Sequence, residues 1–168
     1  MHTFQPYPFD VIELNPFEKF GTEWAALVTE ADGKINAMTV SWGGVGVLWG
    51  KNVATVYVRD SRYSKELIDA GEYFSLTFFE KHYKNTLKYL GAVSGRQEDK
   101  IKGVRLEVNR HKGVPFIDDG NFAMVCRKLS ATKIDPDNII DEKLREQFYK
   151  NGDPHTMYVG EILELLAR

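Results

Sequence analysis

Two short basic segments of the chain contain the residue types that bind anions. The first, RDSRYSKE, places Arg59, Arg62 and Lys65 among the hydroxyls of Ser61 and Ser64, between a strand-like and a helix-like stretch. Guanidinium and ammonium groups neutralise negative charge, and a helix start offers free backbone N–H groups. The pattern indicates a site for a terminal phosphate. A solvated charged loop with Ser64 as an ordinary helix cap explains it equally well.

The second basic segment, SGRQEDK, repeats the combination over residues 94–100. Arg96 and Lys100 are available to an anion, but Glu98 and Asp99 are also available to pair with them. By itself this segment is therefore weak evidence for a site.

A third stretch, NAMTVSW, alternates two kinds of side chain. Thr39 and Ser41 fall on one face of a strand, and Met38, Val40 and Trp42 fall on the other. Hydroxyls at a barrel rim, with a tryptophan beside them, suit a flat heterocycle. The alternative is that the apolar face is core and the hydroxyls face water, which is the commoner arrangement for an isolated strand.

Several classes of protein are disfavoured by what the sequence lacks. The histidines stand too far apart for a local metal pair, and neither H-E-x-x-H nor G-x-S-x-G occurs. The glycines of GGVGVLWG do not complete G-x-G-x-x-G and precede a strand, which argues against a Rossmann site. We expect no metal site and no hydrolase. The lone Cys126 excludes an internal disulfide and favours a reducing compartment.

Size and charge give further limits. A chain of 168 residues predicts a single domain over 1–168. Residues 1–20, rich in proline and aromatics, are expected to form an extended arm that packs on another surface, for which a second subunit is the candidate. The 22 basic and 24 acidic residues give no global field for nucleic acid. The amino-terminal stretch does not fit a signal peptide, and no segment approaches a membrane span. We expect a soluble, cytoplasmic protein without a membrane or nucleic-acid partner.

The order of elements predicts the fold. Helices are expected at 65–70 (capped by Ser64 and closed by Gly71 in a left-handed conformation), at 81–91, and at 139–150 (capped by Asp137 or Asn138). Mostly sequential strands with inserted helices favour a six-stranded antiparallel barrel over a parallel sheet. The six strand-like segments are 23–30, 34–42, 53–58, 73–79, 121–134 and 156–166.

Taken in order, these motifs resemble a known family. The run NAMTVSWGGVGVLWGKNVATVYVRDSRYSKELIDAGEYFSLTFF, followed by LGAVSGRQEDKI and HTMYVGEI, is similar to the flavin reductase-like FMN-binding split barrels, including flavoredoxin-type members. The resemblance spans roughly residues 24–163. It implies a mainly β, Greek-key split β-barrel with inserted helices, and a homodimer with FMN near the subunit interface.

The resemblance also implies a set of site residues. His155 would approach the open face of the flavin; a loop histidine at a strand start is an equally good interpretation. The ring and ribityl chain would be lined by Met38, Thr39, Val40, Ser41 and Trp42. The phosphate end would be held by Arg59, Ser61, Arg62, Tyr63 and Ser64, with Arg96 and Lys100 from the second basic segment.

The function implied is an FMN-dependent oxidoreductase. NAD(P)H would reduce the bound FMN from within the same cleft, and the reduced flavin would pass electrons to a small molecule or a protein. FAD is the less favoured cofactor. Two alternatives stay open: a flavoredoxin-like electron carrier without its own NAD(P)H activity, and a cofactor-less barrel that serves as a structural or ligand-sensing module.

Overall fold

The computed structural model describes residues 1–168 as a mainly antiparallel β structure with helices at its periphery. Its strands are β1 (Gln5–Tyr7), β2 (Ala25–Ala31), β3 (Lys34–Val40), β4 (Gly43–Leu48), β5 (Lys51–Arg59), β6 (Tyr73–Phe78), β7 (Val108–His111), β8 (Val114–Ile117), β9 (Phe122–Lys133) and β10 (His155–Ala167). Its helices are α1 (Pro16–Glu18), α2 (Tyr63–Ala70), α3 (Lys84–Ala92), α4 (Lys100–Gly103) and α5 (Glu142–Tyr149). Single turns of π-helix and 3₁₀-helix lie at Lys19–Glu23, Lys81–Tyr83 and Pro136–Asn138.

One sheet forms the barrel. Its strand order is β3-β2-β6-β9-β10-β5-β4, with β1 also paired to β10, and β7 and β8 form a separate hairpin. Strands β5 and β6 are consecutive in the chain, yet β10 and β9 lie between them, which is a Greek-key connection. The edge strands β3 and β4 are joined by Ser41 and Trp42 but are not paired with each other. The barrel is therefore split where these two residues lie.

The predicted fold class is confirmed, and all six predicted strands are present. The main sheet has eight strands because β1 and β4 add to those six. Strand β4 was not predicted because its sequence, GGVGVL, is rich in glycine, and glycine is depleted in strands. The arm over residues 1–20 packs on its own barrel: β1 pairs with the end of β10, and Ile12 and Leu14 contact the main core.

Three apolar clusters hold the elements together, and the smallest lies around Phe116 of β8. The barrel interior is filled by large side chains such as Leu27, Phe74 and Tyr158, all fully buried. A second cluster, with Leu87 and Leu90 of α3, seals the outer face of β2 and β3. Helix α3 is thereby fixed against the edge strand β3, beside the split.

The long pair β9–β10 carries two irregularities that bend it. The register shifts between Val159 and Gly160 and again between Ile162 and Glu164. A Cβ at Gly160 would lie 2.5 Å from the Phe74 ring, so this position has no room for a larger residue. Such bulges increase the local twist that closes a barrel.

The helix ends differ from the sequence-based expectation. Ser64 does not cap α2; it lies buried within the first turn and accepts a hydrogen bond from Asn36 Nδ2 at 2.8 Å. Gly71 is extended, with φ −83°, and is needed because a Cβ there would meet the Glu30 carbonyl. Helix α5 begins at Glu142, capped by Asp141, because the chain from Pro136 first forms a 3₁₀ turn. No helix is long and apolar enough to cross a membrane.

Candidate functional site

A cavity of about 200 Å³ opens at the barrel rim beside the split. The ends of β3 and β5 and the start of β10 meet there, and the antiparallel register sets His155 directly opposite Arg59. The cavity is lined by Met38, Thr39, Val40, Ser41, Trp42, Tyr57, Arg59, Arg62, Gly91 and His155.

Aromatic rings form one wall of this cavity. Trp42 is 43% exposed, which is high for so large an apolar side chain. Its ring centroid lies 5.1 Å from that of His155 and 5.2 Å from that of Phe148 in an edge-to-face arrangement. Because α5 supplies Phe148, this wall joins the barrel to the carboxyl-terminal helix.

Arg59 crosses the cavity toward the segment that follows α5. Its Nη1 donates to the carbonyl oxygens of Phe148 at 3.1 Å and Asp153 at 2.5 Å. The guanidinium also lies 5.6 Å from the centroid of the Tyr149 ring. Both hydrogen-bond partners are neutral backbone groups, so the charge of Arg59 is not neutralised by them.

Arg62 and Lys100 meet at the end of α3. Arg62 Nη1 donates to Gly91 O at 2.7 Å, and Lys100 Nζ donates to Leu90 O at 2.8 Å. Burial lowers the pKa of Arg62, although the Asp153 carboxylate opposes this. Burial, together with the charge of Arg62, lowers the pKa of Lys100 to about 8. Both side chains thus satisfy carbonyls that the helix end leaves free.

The cavity side of the molecule therefore carries concentrated positive charge. Arg59, Arg62 and Lys100 bond to backbone carbonyls rather than to carboxylates. Asp153 and Glu98 act on Arg62 and Lys100 only from a distance. Partly buried cations without a carboxylate in direct contact are costly, and an anion beside them lowers that cost. The site is electrostatically suited to a negatively charged ligand.

The start of α2 extends this positive region. Arg62 is its N-cap residue and makes no side-chain cap bond. Ser61, just before it, bonds through both its N–H and its hydroxyl to the Asp153 carboxylate. Arg96 donates through Nη1 to Ser61 O at 3.0 Å and pairs with Glu66, while its guanidinium lies 5.5 Å from the Tyr63 ring. Free N–H groups at a helix start attract anions.

The two hydroxyls of the predicted strand have different surroundings. Thr39 Oγ1 donates to the Leu87 carbonyl of α3, so its proton is engaged within the protein. Ser41 lies beyond the end of β3, lines the cavity and makes no side-chain hydrogen bond to the protein. Met38 and Val40 are buried in the barrel core. Within segment 38–42, Ser41 and Trp42 are the side chains most available to a ligand.

His155 is held by a tyrosine. Its Nδ1 lies 2.9 Å from the Tyr149 hydroxyl, and the residue is 6% exposed. Burial, with a further contribution from the charge of Arg59, lowers the pKa of His155 to about 4; the carboxylates of Asp153 and Asp60 oppose this. His155 is therefore a neutral imidazole at neutral pH.

The structure brings together part of the predicted residue set. Segment 38–42, Arg59, Arg62 and His155 all line one cavity. The remainder lie outside its lining and have protein partners of their own: Ser61, Tyr63, Ser64, Arg96 and Lys100. Their assignment to a phosphate stays a prediction.

Two lining residues were missed from sequence. Tyr57 shares a strand face with Arg59, two positions on, and this period was a usable signal. Gly91 was read only as a helix end, and it lies within α3. Phe148 and Tyr149 also escaped notice, since nothing in the sequence places α5 beside Arg59.

The structure is an antiparallel split barrel. At one rim it has an aromatic wall and cations without carboxylate partners. These features define a small-ligand-binding barrel suited to a planar, negatively charged molecule. The chain belongs to the family of the flavin reductase like domain, which matches residues 17–168. No curated protein sequence matches it.

Solved structures of this fold include FMN-binding proteins. Flavoredoxin from Methanosarcina acetivorans is 22% identical with a TM-score of 0.67, over 87% of this chain and 68% of the other. An FMN-binding domain of a flavin reductases-like enzyme from Shewanella baltica is 14% identical with a TM-score of 0.70, over 98% and 77%. Flavoredoxin of Desulfovibrio vulgaris is 18% identical with a TM-score of 0.68, over 98% and 77%. At these identities the similarity concerns the fold.

Proposed function

We propose that the protein binds FMN at the rim cavity and works as a flavin reductase-like oxidoreductase, passing electrons from NAD(P)H through FMN to a small-molecule or protein acceptor. The observation that supports this most is the group of cations without carboxylate partners beside an exposed tryptophan, in a chain of the flavin reductase-like family. The flavin would supply the two-electron chemistry, since no side chain that lines the cavity reversibly exchanges an electron pair.

The residues of the site fit the two chemical parts of FMN. Trp42 offers an aromatic face and Ser41 a free hydroxyl for the flat ring system. Arg62, at the start of α2, offers positive charge for the phosphate. Ser61 and Arg96 lie beside it, but they are bonded to the carboxylates of Asp153 and Glu66 and would have to exchange those partners to contact the phosphate. In this arrangement the chain itself binds and orients the cofactor, and the barrel wall excludes water from one side of it.

An absorption spectrum of the purified protein tests the proposal first. A flavin band, followed by heat release and chromatography that identify FMN at about one per chain, is the expected result. Chromatography also distinguishes FMN from FAD. A colourless protein that does not bind added FMN contradicts the proposal and leaves a structural or ligand-sensing role for the barrel.

A carrier function is the second candidate, because flavoredoxins are among the proteins that share this fold. In that case the bound flavin would take electrons from a partner protein. Stopped-flow mixing with NADH and with NADPH separates the two functions. Rapid bleaching of the flavin band excludes a pure carrier; no bleaching, with reduction by a chemical donor intact, excludes the NAD(P)H-dependent enzyme.

We also propose that the protein is a homodimer and works in the cytoplasm. Strand β4 is an open sheet edge, and Val47, Leu48 and Trp49 at its end are exposed apolar residues. An open edge with apolar side chains is a favourable surface for association. The single free thiol, Cys126, is compatible with a reducing compartment.

A further inference from the structure

The contact between Tyr149 and His155 fixes which histidine nitrogen is available to the cavity. Tyr149 is the last residue of α5, and His155 is the first residue of β10. The Tyr149 hydroxyl lies 2.9 Å from Nδ1, and the two rings meet edge to face with centroids 5.6 Å apart. The tyrosine therefore engages one nitrogen of the imidazole and leaves the other.

The direction of this hydrogen bond follows from protonation. Burial raises the pKa of Tyr149, so the phenol keeps its proton at neutral pH. His155 is a neutral imidazole there, with one bare nitrogen that is a good acceptor. A phenol O–H is the stronger donor of the pair. The arrangement that uses both groups best has Tyr149 donating to a bare Nδ1, which puts the ring proton on Nε2.

The second nitrogen opens toward the cavity. Nε2 makes no hydrogen bond within the protein, and it is not among the buried polar atoms that lack a partner. It must therefore be accessible, and His155 lines the cavity beside Trp42. The other charged groups around the ring are Arg59 opposite it on β5, Asp60 just after β5, and Asp153 just before β10.

We propose that Tyr149 is a positioning residue that holds His155 as its Nε2–H tautomer, so that the cavity receives a neutral hydrogen-bond donor. The proposal rests on the proposed function for its role: the N–H would bond to an acceptor oxygen, such as a carbonyl, of the molecule that docks beside the flavin. A neutral donor binds such an oxygen without adding charge next to Arg59. The sequence shows no sign of this pair, because its members belong to two different elements separated by five residues of turn and loop.

Nitrogen NMR reads the tautomer directly and needs no cofactor. In protein carrying ¹⁵N-labelled histidine, a protonated and a bare ring nitrogen resonate in separate regions, and the His155→Gln variant assigns the His155 pair. We expect wild-type Nδ1 in the bare region and Nε2 in the protonated region at neutral pH. A protonated Nδ1 in the wild-type protein overturns the proposal without any variant.

The Tyr149→Phe variant tests the cause. It keeps the ring and removes the donor, so both His155 nitrogens should move toward the average of the two regions. Tyr89→Phe is the matched control, since its hydroxyl bonds Glu98 away from the cavity lining. Unchanged His155 signals in Tyr149→Phe overturn the proposal; unchanged signals from His2, His82 and His111 verify that the variant is folded.

A kinetic measurement on FMN-loaded protein links the tautomer to function. The Tyr149→Phe variant should reduce its flavin with NAD(P)H about threefold to tenfold more slowly than the wild-type protein, the range expected for one neutral hydrogen bond. Its FMN affinity should be unchanged. Equal rates in both proteins overturn the role in docking. A protein that binds no FMN refutes the proposed function instead, and the NMR result still decides the tautomer.

Discussion

At the scale of single residues, the site is defined by arginines that have no carboxylate in direct contact. Arg59 and Arg62 line the cavity and donate hydrogen bonds to backbone carbonyls. Lys65 and Arg96, from the same basic segments, meet Asp69 and Glu66 instead. The difference lies in packing rather than in residue type, so the sequence alone assigns all four the same role.

Replacing Arg59 should weaken FMN binding, whereas replacing Lys65 should not. Arg59→Gln removes one charged donor at the cavity, and a hydrogen bond to a charged group contributes about 1.5–3 kcal/mol, or about tenfold to a hundredfold in Kd. Lys65→Gln removes the same charge from α2, where Lys65 pairs with Asp69 and lies over the Tyr158 ring, outside the cavity lining. Fluorescence titration with FMN measures both. Equal losses would indicate a diffuse charge effect instead of a contact.

Lys100 should make stability depend on pH. Burial lowers its pKa from 10.5 to about 8, so between these values the unfolded chain binds the proton more tightly and the free energy of unfolding rises with pH. Below pH 8 the full cost of the buried ammonium is present. Lys100→Met should lack this rise in the free energy of unfolding, which amounts to up to about 3 kcal/mol in the wild-type protein.

Urea unfolding of the wild-type protein and of Lys100→Met at pH about 7 and about 10 measures the Lys100 effect. The contributions of other groups that titrate in this range cancel when the two proteins are compared. A parallel pH dependence in wild type and variant would contradict it. Full FMN affinity in Lys100→Met would also show that Lys100 does not contact the phosphate.

At the scale of elements, α5 is the weakly attached part of the site. It buries no residue of its own. Phe148 contacts the barrel through its carbonyl on Arg59 and its ring on Trp42. Tyr149 contacts it through its hydroxyl on His155 and its ring beside the Arg59 guanidinium. A helix held by so few contacts depends on its own capping for order.

Removing the cap of α5 should loosen the helix without unfolding the protein. The Asp141 side chain accepts hydrogen bonds from the N–H groups of Lys143 and Leu144. Asp141→Ala should cost about 1 kcal/mol locally, seen as roughly fivefold faster amide exchange in residues 142–149. Asp137→Ala is the control, because that carboxylate caps nothing. Faster exchange in the control instead would restore the sequence-based assignment of the cap.

The sequence predicted elements better than it predicted how they meet. Strands with alternating or β-branched patterns were found, and β2 and β3 pair across a tight turn at Asp32 and Gly33, both with positive φ. The caps of α2 and α5 were misplaced because several Ser, Asp and Asn residues compete locally. The contiguous segment 38–42 lines the cavity, and its contact with FMN stays a prediction. The contacts of Phe148 and Tyr149 are set by tertiary packing alone.

At the scale of the whole molecule, β4 is the unprotected edge. It pairs only with β5, and a tight turn at Trp49 and Gly50, both with positive φ, joins the two strands. Tryptophan is an unusual residue in the left-handed conformation, and here it is 64% exposed. Val47 beside it is 74% exposed. Nothing in the edge itself prevents association: it has no proline and no charged side chain between Gly43 and Leu48.

A charge placed at this turn should separate the proposed dimer. Trp49→Lys removes the largest exposed apolar surface of the edge; a tryptophan central to an interface contributes about 2 kcal/mol or more, so the dimer dissociation constant should rise at least about thirtyfold. Ile140→Lys is the matched control, because Ile140 is 98% exposed but lies far along the chain, beside α5. Sedimentation velocity over a concentration series measures both. If Trp49→Lys sediments like the wild-type dimer while Ile140→Lys dissociates, the interface lies on the α5 side. If the wild-type protein is a monomer throughout, the cavity must hold FMN within one chain. The exposed rim of the cavity would then leave the flavin open to solvent.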